Sequence, residues 1–180
     1  MGLAHRPHDH LPGVGVDHDA HGRVLGDEPA QALRQALQQL AQLPHSSLLR
    51  ASSLYRSAPV DGSGPSYINA VACLQTQLTA PDLMLALQTL EQQAGRERPY
   101  RNAPRTLDLD LLLYGSAHVS SPALTVPHPR MHQRAFVLVP LAEIAPALVS
   151  PQQLQAVAGQ VIERLVEPSP SPTPSAARRL

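Results

Sequence analysis

Residues Arg105 to Gly115, Arg-Thr-Leu-Asp-Leu-Asp-Leu-Leu-Leu-Tyr-Gly, constrain this chain more than any other stretch. Alternation predicts one strand, closed by a turn at Gly115-Ser116. Side chains along a strand point to opposite faces in turn. Asp108 and Asp110 are therefore expected on one face, with Thr106 and Leu112. Leu107, Leu109, Leu111 and Leu113 are expected on the other, in a core. Two carboxylates ~7 Å apart along a strand face repel unless a cation sits with them. A hard divalent ion with oxygen ligands would do this, and Mg²⁺ commonly shares phosphate oxygens as well. Arg105 adds a planar fork suited to phosphate. Together these residue types suit phosphoryl-type transfer. The plainer alternative is an edge strand whose two acids keep one face wet.

Composition narrows the field. The 180 residues suit one domain with a sizeable core. Net charge is zero, so neither nucleic acid nor membrane is implied as a partner. All 14 basic residues are Arg. Without Lys, neither a P-loop lysine nor a Schiff base is available. The single Cys73 forbids an intramolecular disulfide and fits a reducing cytoplasm. No apolar run reaches the length of a membrane span.

Residues 1–26 carry His5, His8, His10, His18 and His21 with Asp9, Asp17 and Asp19, and show no period. They read as an irregular, His-rich arm, since their spacings match no closed zinc site. From Asp27 the pattern changes, and residues 27–166 read as the domain. Pro29 in a first turn, then Ala32, Leu33, Ala36, Leu37 and Leu40, predict a helix ending before Pro44. A strand is predicted over Ser46–Ser57, a loop over 58–66, and a second strand over Tyr67–Leu78, paired with the first. Pro81 opens another helix, which Gly95 closes. Four arginines in 96–105 form a basic loop leading into the Asp-x-Asp strand. Short extended pieces follow near Val119 and Leu124–Val126. A short helix is predicted over His132–Leu141 and a last one over Pro151–Leu165. Residues 167–180, rich in Pro and Ser, are expected to be disordered.

Four groups of residues carry a family resemblance. They are Tyr67-x-Asn69, Gly95-Arg96-x-Arg98, Pro104-Arg-Thr-Leu-Asp-Leu-Asp110, and Val126-Pro-His-Pro-Arg-Met-His-Gln-Arg-Ala-Phe136. In this set the chain resembles the 6-hydroxymethyl-7,8-dihydropterin pyrophosphokinases of folate biosynthesis, over about residues 25–165. The resemblance implies an α+β fold, a ferredoxin-like sandwich with a mainly antiparallel sheet. It implies pyrophosphate transfer from ATP to the pterin hydroxymethyl oxygen, leaving AMP. Two Mg²⁺ ions would be held by Asp108 and Asp110. Arg96 and Arg105 would act on the polyphosphate beside the two acids, and Arg98, His128 and Arg134 would bind ATP. Ser57, Ala58, Val60, Tyr67, Asn69 and Phe136 would form the pterin pocket. Phe136 would be its stacking face, and Asn69 its amide partner. ATP and pterin are the expected partners, and a monomer is the expected state.

The chain departs from the family in two places. Its basic loop is one residue shorter and holds no Trp, so Tyr100 is the only aromatic there. Family members open on an apolar strand ending in Gly-x-Asn-Leu-Gly-Asp. Here Gly22-Arg-Val-Leu-Gly-Asp27 stands in that place, with Val24 for Asn, and the residues before it do not read as a core strand. The first strand is thus expected to be degenerate. That leaves an alternative function, a catalytically impaired nucleotide- or pterin-binding relative with an incomplete sheet.

Overall fold

A computed structural model describes residues 12–18, 28–58, 66–96 and 107–166. In chain order the elements are β1 (Pro12–His18), α1 (Glu28–Ala41), β2 (Ser46–Ala51), β3 (Tyr55–Ser57), β4 (Tyr67–Thr76), α2 (Ala80–Arg96) and β5 (Asp108–Tyr114). After them come β6 (Val119–Ser120), β7 (Thr125–Val126), α3 (Ala135–Ile144), α4 (Pro151–Ala156) and β8 (Ile162–Arg164). The fold is α+β, and every strand pairing among the described residues is antiparallel. The main sheet runs β5-β1-β4-β3-β8, with β2 also on β4, while β6 and β7 form a separate ribbon.

Strand β4 organises the sheet because both of its faces are buried. Ala70, Ala72 and Leu74 face one core, with Leu33 and Leu40 of α1 and Leu83 and Leu87 of α2. Val71 faces a second core, with Leu138 and Leu141 of α3. Helix α1 forms where expected, with Leu33, Ala36 and Leu40 on one buried stripe. Beyond it His45 takes a positive φ of 58°, which turns the chain into β2. Helix α2 opens on Thr79, whose hydroxyl accepts from the Asp82 N–H and donates to the Asp82 carboxylate. Its last residue is Arg96, one past Gly95.

Four expectations are corrected. The first strand is present: β1 lies between β4 and β5 and pairs with both. Residues 1–26 are therefore not irregular throughout. Val14 and Val16 are matched with Ala72 and Ala70 on one side and Leu111 and Leu109 on the other. Those four partners are buried in the first core. The two strand edges facing β1 need hydrogen-bond partners whatever the side chains that supply them.

The strand expected over Ser46–Ser57 is two strands, broken at Ser52–Leu54. Ser52 keeps the ladder going at the break. Its N–H donates to Val71 O (2.8 Å) and its hydroxyl accepts from the Val71 N–H (3.0 Å).

Within β5 the alternation fails after Leu111. Gly13 is matched with Leu113 but Val14 with Leu111, a bulge with one extra residue on β5. Leu113 accordingly packs against the second core rather than the first, and Tyr114 takes the first-core position.

Finally, the last helix stops at Ala156. Gly159 follows, and the β-branched pair Val161-Ile162 leads into β8, which covers the outer edge of β3. The arm before Pro12, the segments 19–27, 59–65 and 97–106, and the tail 167–180 lie outside the described residues, so Val24, Tyr100 and all of the basic loop but Arg96 do too. Among the described residues no helix is long and apolar enough to cross a membrane.

Candidate active site

Among the described residues strand β5 is an edge of the main sheet, and two groups occupy its outer rim. The Leu109 N–H donates to Glu91 Oε1 of α2 at 2.6 Å. Leu112 O accepts from the His128 N–H at 2.9 Å. Between these two bonds stands Asp110, and Asp108 precedes them.

Asp110 gathers the cationic side chains. Its Oδ2 lies 3.9 Å from His128 Nε2 and 3.9 Å from Arg134 Nη1. Burial pushes the Asp110 carboxyl up, and the Asp108 charge pushes the same way, against His128 and Arg134. Burial pushes the His128 imidazole down, against the pull of Asp110, with Arg134 and Arg130 adding to the depression. His128 Nδ1 accepts from the Arg130 N–H at 3.2 Å. In the neutral ring the proton therefore sits on Nε2, the nitrogen turned toward Asp110. Arg134 also lies over the Phe136 ring, 5.3 Å from its centroid. One guanidinium thus links the acid of β5 to the lone phenylalanine.

Glu91 completes the acidic group. Its carboxyl is pushed up to about 7, first by burial, against the Leu109 N–H bond, and further by Asp108 and Asp110 beside it. Asp108 and Asp110 suit Mg²⁺: they offer hard carboxylate oxygens, in mutual repulsion, beside phosphate-seeking cations, with Glu91 behind them on α2. Among the described residues no three His, Cys, Asp or Glu side chains converge as a metal cage. An ion held here would take its remaining ligands from phosphate and water, as Mg²⁺ commonly does.

Asn69 lies on the same sheet face in β4. Its Nδ2 donates to Ser57 Oγ at 2.9 Å, with Tyr67 O at 3.4 Å and Tyr55 O at 3.5 Å. Two backbone carbonyls fix the amide orientation, because only the NH₂ end can face them. Asn69 Oδ1 is buried and has no partner among the described residues. An orphaned buried acceptor costs about 1–3 kcal/mol, which a ligand N–H would recover.

The strand register joins the two halves. Asp17 of β1 is matched with Asn69 on one side and with Asp108 on the other. Residues matched directly across antiparallel strands share a face, at ~4.8 Å per strand step. Asn69 and Asp108 therefore stand in one row, about 10 Å apart. In the next row Gly15 separates Val71 from Asp110.

A family model described as 7,8-dihydro-6-hydroxymethylpterin-pyrophosphokinase (HPPK) matches residues 20–146. This chain belongs to that family. Three relatives bear the name 2-amino-4-hydroxy-6-hydroxymethyldihydropteridine pyrophosphokinase. The protein of Haemophilus influenzae is 43% identical over 140 residues, 77% of this chain and 84% of its own length. That of Pseudomonas aeruginosa is 46% identical over 125 residues, 69% of this chain and 77% of its own length. That of Bacillus subtilis is 39% identical over 124 residues, 68% of this chain and 74% of its own length.

Within this HPPK-family chain the expected residues fall into three groups. Asp108, Asp110, His128, Arg134 and Phe136 lie together around the end of β5. Ser57 and Asn69 lie together across β3 and β4, with Tyr67 half-buried at the start of β4 and Ala58 exposed at the end of β3. Val60, Arg98 and Arg105 lie outside the described residues, as does the side chain of Arg96. Glu91 was not among the expected site residues. Its signal was its place on α2, one turn after Leu87, where a carboxylate interrupts an otherwise apolar stripe.

Proposed function

We propose that this chain transfers pyrophosphate from ATP to the hydroxymethyl oxygen of 6-hydroxymethyl-7,8-dihydropterin, a step of folate biosynthesis. A bond forms from that oxygen to the β-phosphorus as the bond to the α–β bridging oxygen breaks. AMP leaves with the bridging oxygen, and the hydroxyl proton is released. The observation that carries this reading is the row Asn69–Asp17–Asp108, which sets an orphaned amide acceptor and an acid pair at the spacing of two strands.

In this reading Asn69 Oδ1 accepts from the pterin's amide-like edge, and Phe136 supplies a stacking face. Ser57 holds the Asn69 amide, while Ala58, Val60 and Tyr67 line the same pocket. His128 Nε2–H and Arg134 donate to the nucleotide phosphates, with Arg98. Arg96 and Arg105 add charge from the basic loop. Asp108 and Asp110 hold two Mg²⁺ ions, which neutralise the polyphosphate when bound. Positioning and fixed charge supply most of the rate. We assign a ferredoxin-like sandwich to the domain and a reducing cytoplasm to its free Cys73. The impaired relative rested on an incomplete sheet, and β1 removes that premise.

The test is AMP formation from ATP and Mg²⁺. It should depend on added hydroxymethyl-dihydropterin and be lost in Asp108→Ala with pterin binding retained. Folded protein that releases no AMP in the presence of both substrates overturns the reading.

A further inference from the structure

Among the described residues no strand lies on the outer side of β5, so the N–H between the two acids finds no ladder partner among them there. Helix α2 supplies one. Glu91 Oε1 takes the Leu109 N–H at 2.6 Å, and Leu109 is the residue that separates Asp108 from Asp110. Its side chain fills the first core, so the peptide is held from below by packing and from the rim by Glu91. Elsewhere on that rim the His128 N–H holds Leu112 O. The backbone carrying both acids is thereby pinned on either side of Asp110.

We propose that Glu91 is a positioning residue for divalent-ion binding: by accepting the Leu109 N–H it fixes the backbone that presents Asp108 and Asp110. The inference rests on the assignment of those two acids as the ion-binding pair. Glu91 reaches the acids through the strand and through a side-chain hydrogen bond to Asp108, and needs no contact with ion or substrate. What matters is an acceptor at the right reach, not the charge.

That distinction sets the experiment. Glu91→Gln keeps a carbonyl acceptor at the same reach and removes the charge. Glu91→Asp keeps the charge and withdraws the acceptor by one methylene, and Glu91→Met removes the acceptor with little change of volume. Three readouts apply to the full chain: exchange of the Leu109 amide by NMR, Mn²⁺ binding in the presence of a non-hydrolysable ATP analogue, and the Mg²⁺ concentration giving half-maximal rate. Groups supporting a metal site from outside commonly change affinity about 10- to 100-fold. Glu91→Met and Glu91→Asp should expose the Leu109 amide and weaken Mn²⁺ binding at least about tenfold. They should raise the Mg²⁺ requirement in step and leave pterin KM unmoved. Glu91→Gln should stay close to wild type in all three.

Wild-type Mn²⁺ binding in Glu91→Met, or a Glu91→Gln variant as impaired as Glu91→Met, overturns the proposal. So does a Glu91→Asp variant that matches wild type. Amide exchange and Mn²⁺ binding need no turnover, so a chain without pyrophosphokinase activity would sink the proposed function and still decide this one. Should Glu91→Met fail to fold, Glu91→Asp and Glu91→Gln together still separate reach from charge.

Discussion

Asn69 and Asp108 are matched with the same residue, Asp17, on the two sides of the central strand. They come from strands separated in sequence by a helix and the basic loop, yet they share one row of one sheet face. The proposed pocket therefore spans the sheet, and each of its ends should be separable by mutation.

Asn69→Ala removes the orphaned acceptor. If a pterin N–H occupies Oδ1, the loss of that bond amounts to about 1–3 kcal/mol, or about 5- to 150-fold in pterin affinity. ATP affinity should stay within about twofold, the two ends being ~10 Å apart. Equilibrium binding of each substrate alone checks this. A shift in ATP affinity equal to that in pterin affinity would count against the assignment.

Asp110→Asn should separate stability from turnover. Asp110 lies half-buried beside Asp108, and burial and that charge both oppose its ionised form. An amide of the same shape removes the repulsion. Thermal unfolding without divalent ions should therefore show an unchanged or raised Tm, while turnover falls at least about a hundredfold through loss of the proposed ion ligand. A lowered Tm in metal-free buffer would contradict the repulsion argument.

In the proposed function Phe136→Leu touches both substrates, unequally. Loss of the ring face should weaken pterin about tenfold, the scale of aromatic stacking. Arg134 also rests on that ring. Losing a partly exposed cation–π contact of about 0.5–1 kcal/mol should cost ATP about two- to fivefold. Phe136→Tyr should restore both. Pterin affinity unchanged in Phe136→Leu would make Phe136 a packing residue only.

The C-terminal strand is held by a polar knot whose pH dependence is set. Glu143 of α3 accepts from Ser53 N–H (3.0 Å), Ser53 Oγ (2.8 Å) and Tyr55 OH (2.9 Å), and pairs with Arg164 of β8 at 3.2 Å. Burial alone would raise the Glu143 carboxyl, but these donors outweigh it and hold it below its ordinary 4.5. A depressed carboxyl stabilises the fold above its unfolded value, and that contribution is lost as pH falls through the folded one. Glu143→Gln should thus lower Tm at pH 7, with the gap to wild type closing in acid. Tyr55 shows the opposite sign. Burial, then the bond to Glu143, pushes its phenol from 10.0 up to about 12. Its contribution is present below pH 10 and fades as pH rises toward 12. Tyr55→Phe should remove that alkaline limb, and a phenolate titration should lose a step near 12 in this variant.

The sequence by itself determined the acid pair. Period-two alternation from Leu107 to Leu111 puts Asp108 and Asp110 on one face whatever strand pairs alongside. It equally determined α1 and α2, whose apolar residues recur at helical spacing, and the stretch around His128, Arg134 and Phe136. Only the tertiary structure decided β1 and β8. Val14 and Val16 are too few to mark an internal strand locally, and β1 is selected because the facing edges of β4 and β5 need hydrogen-bond partners. The β5 bulge, the Asn69–Asp17–Asp108 row and the Glu91 bond to Leu109 N–H belong to the same class. Each depends on which backbone group finds which partner across the sheet, a choice made by the whole ladder and not by any one segment of it.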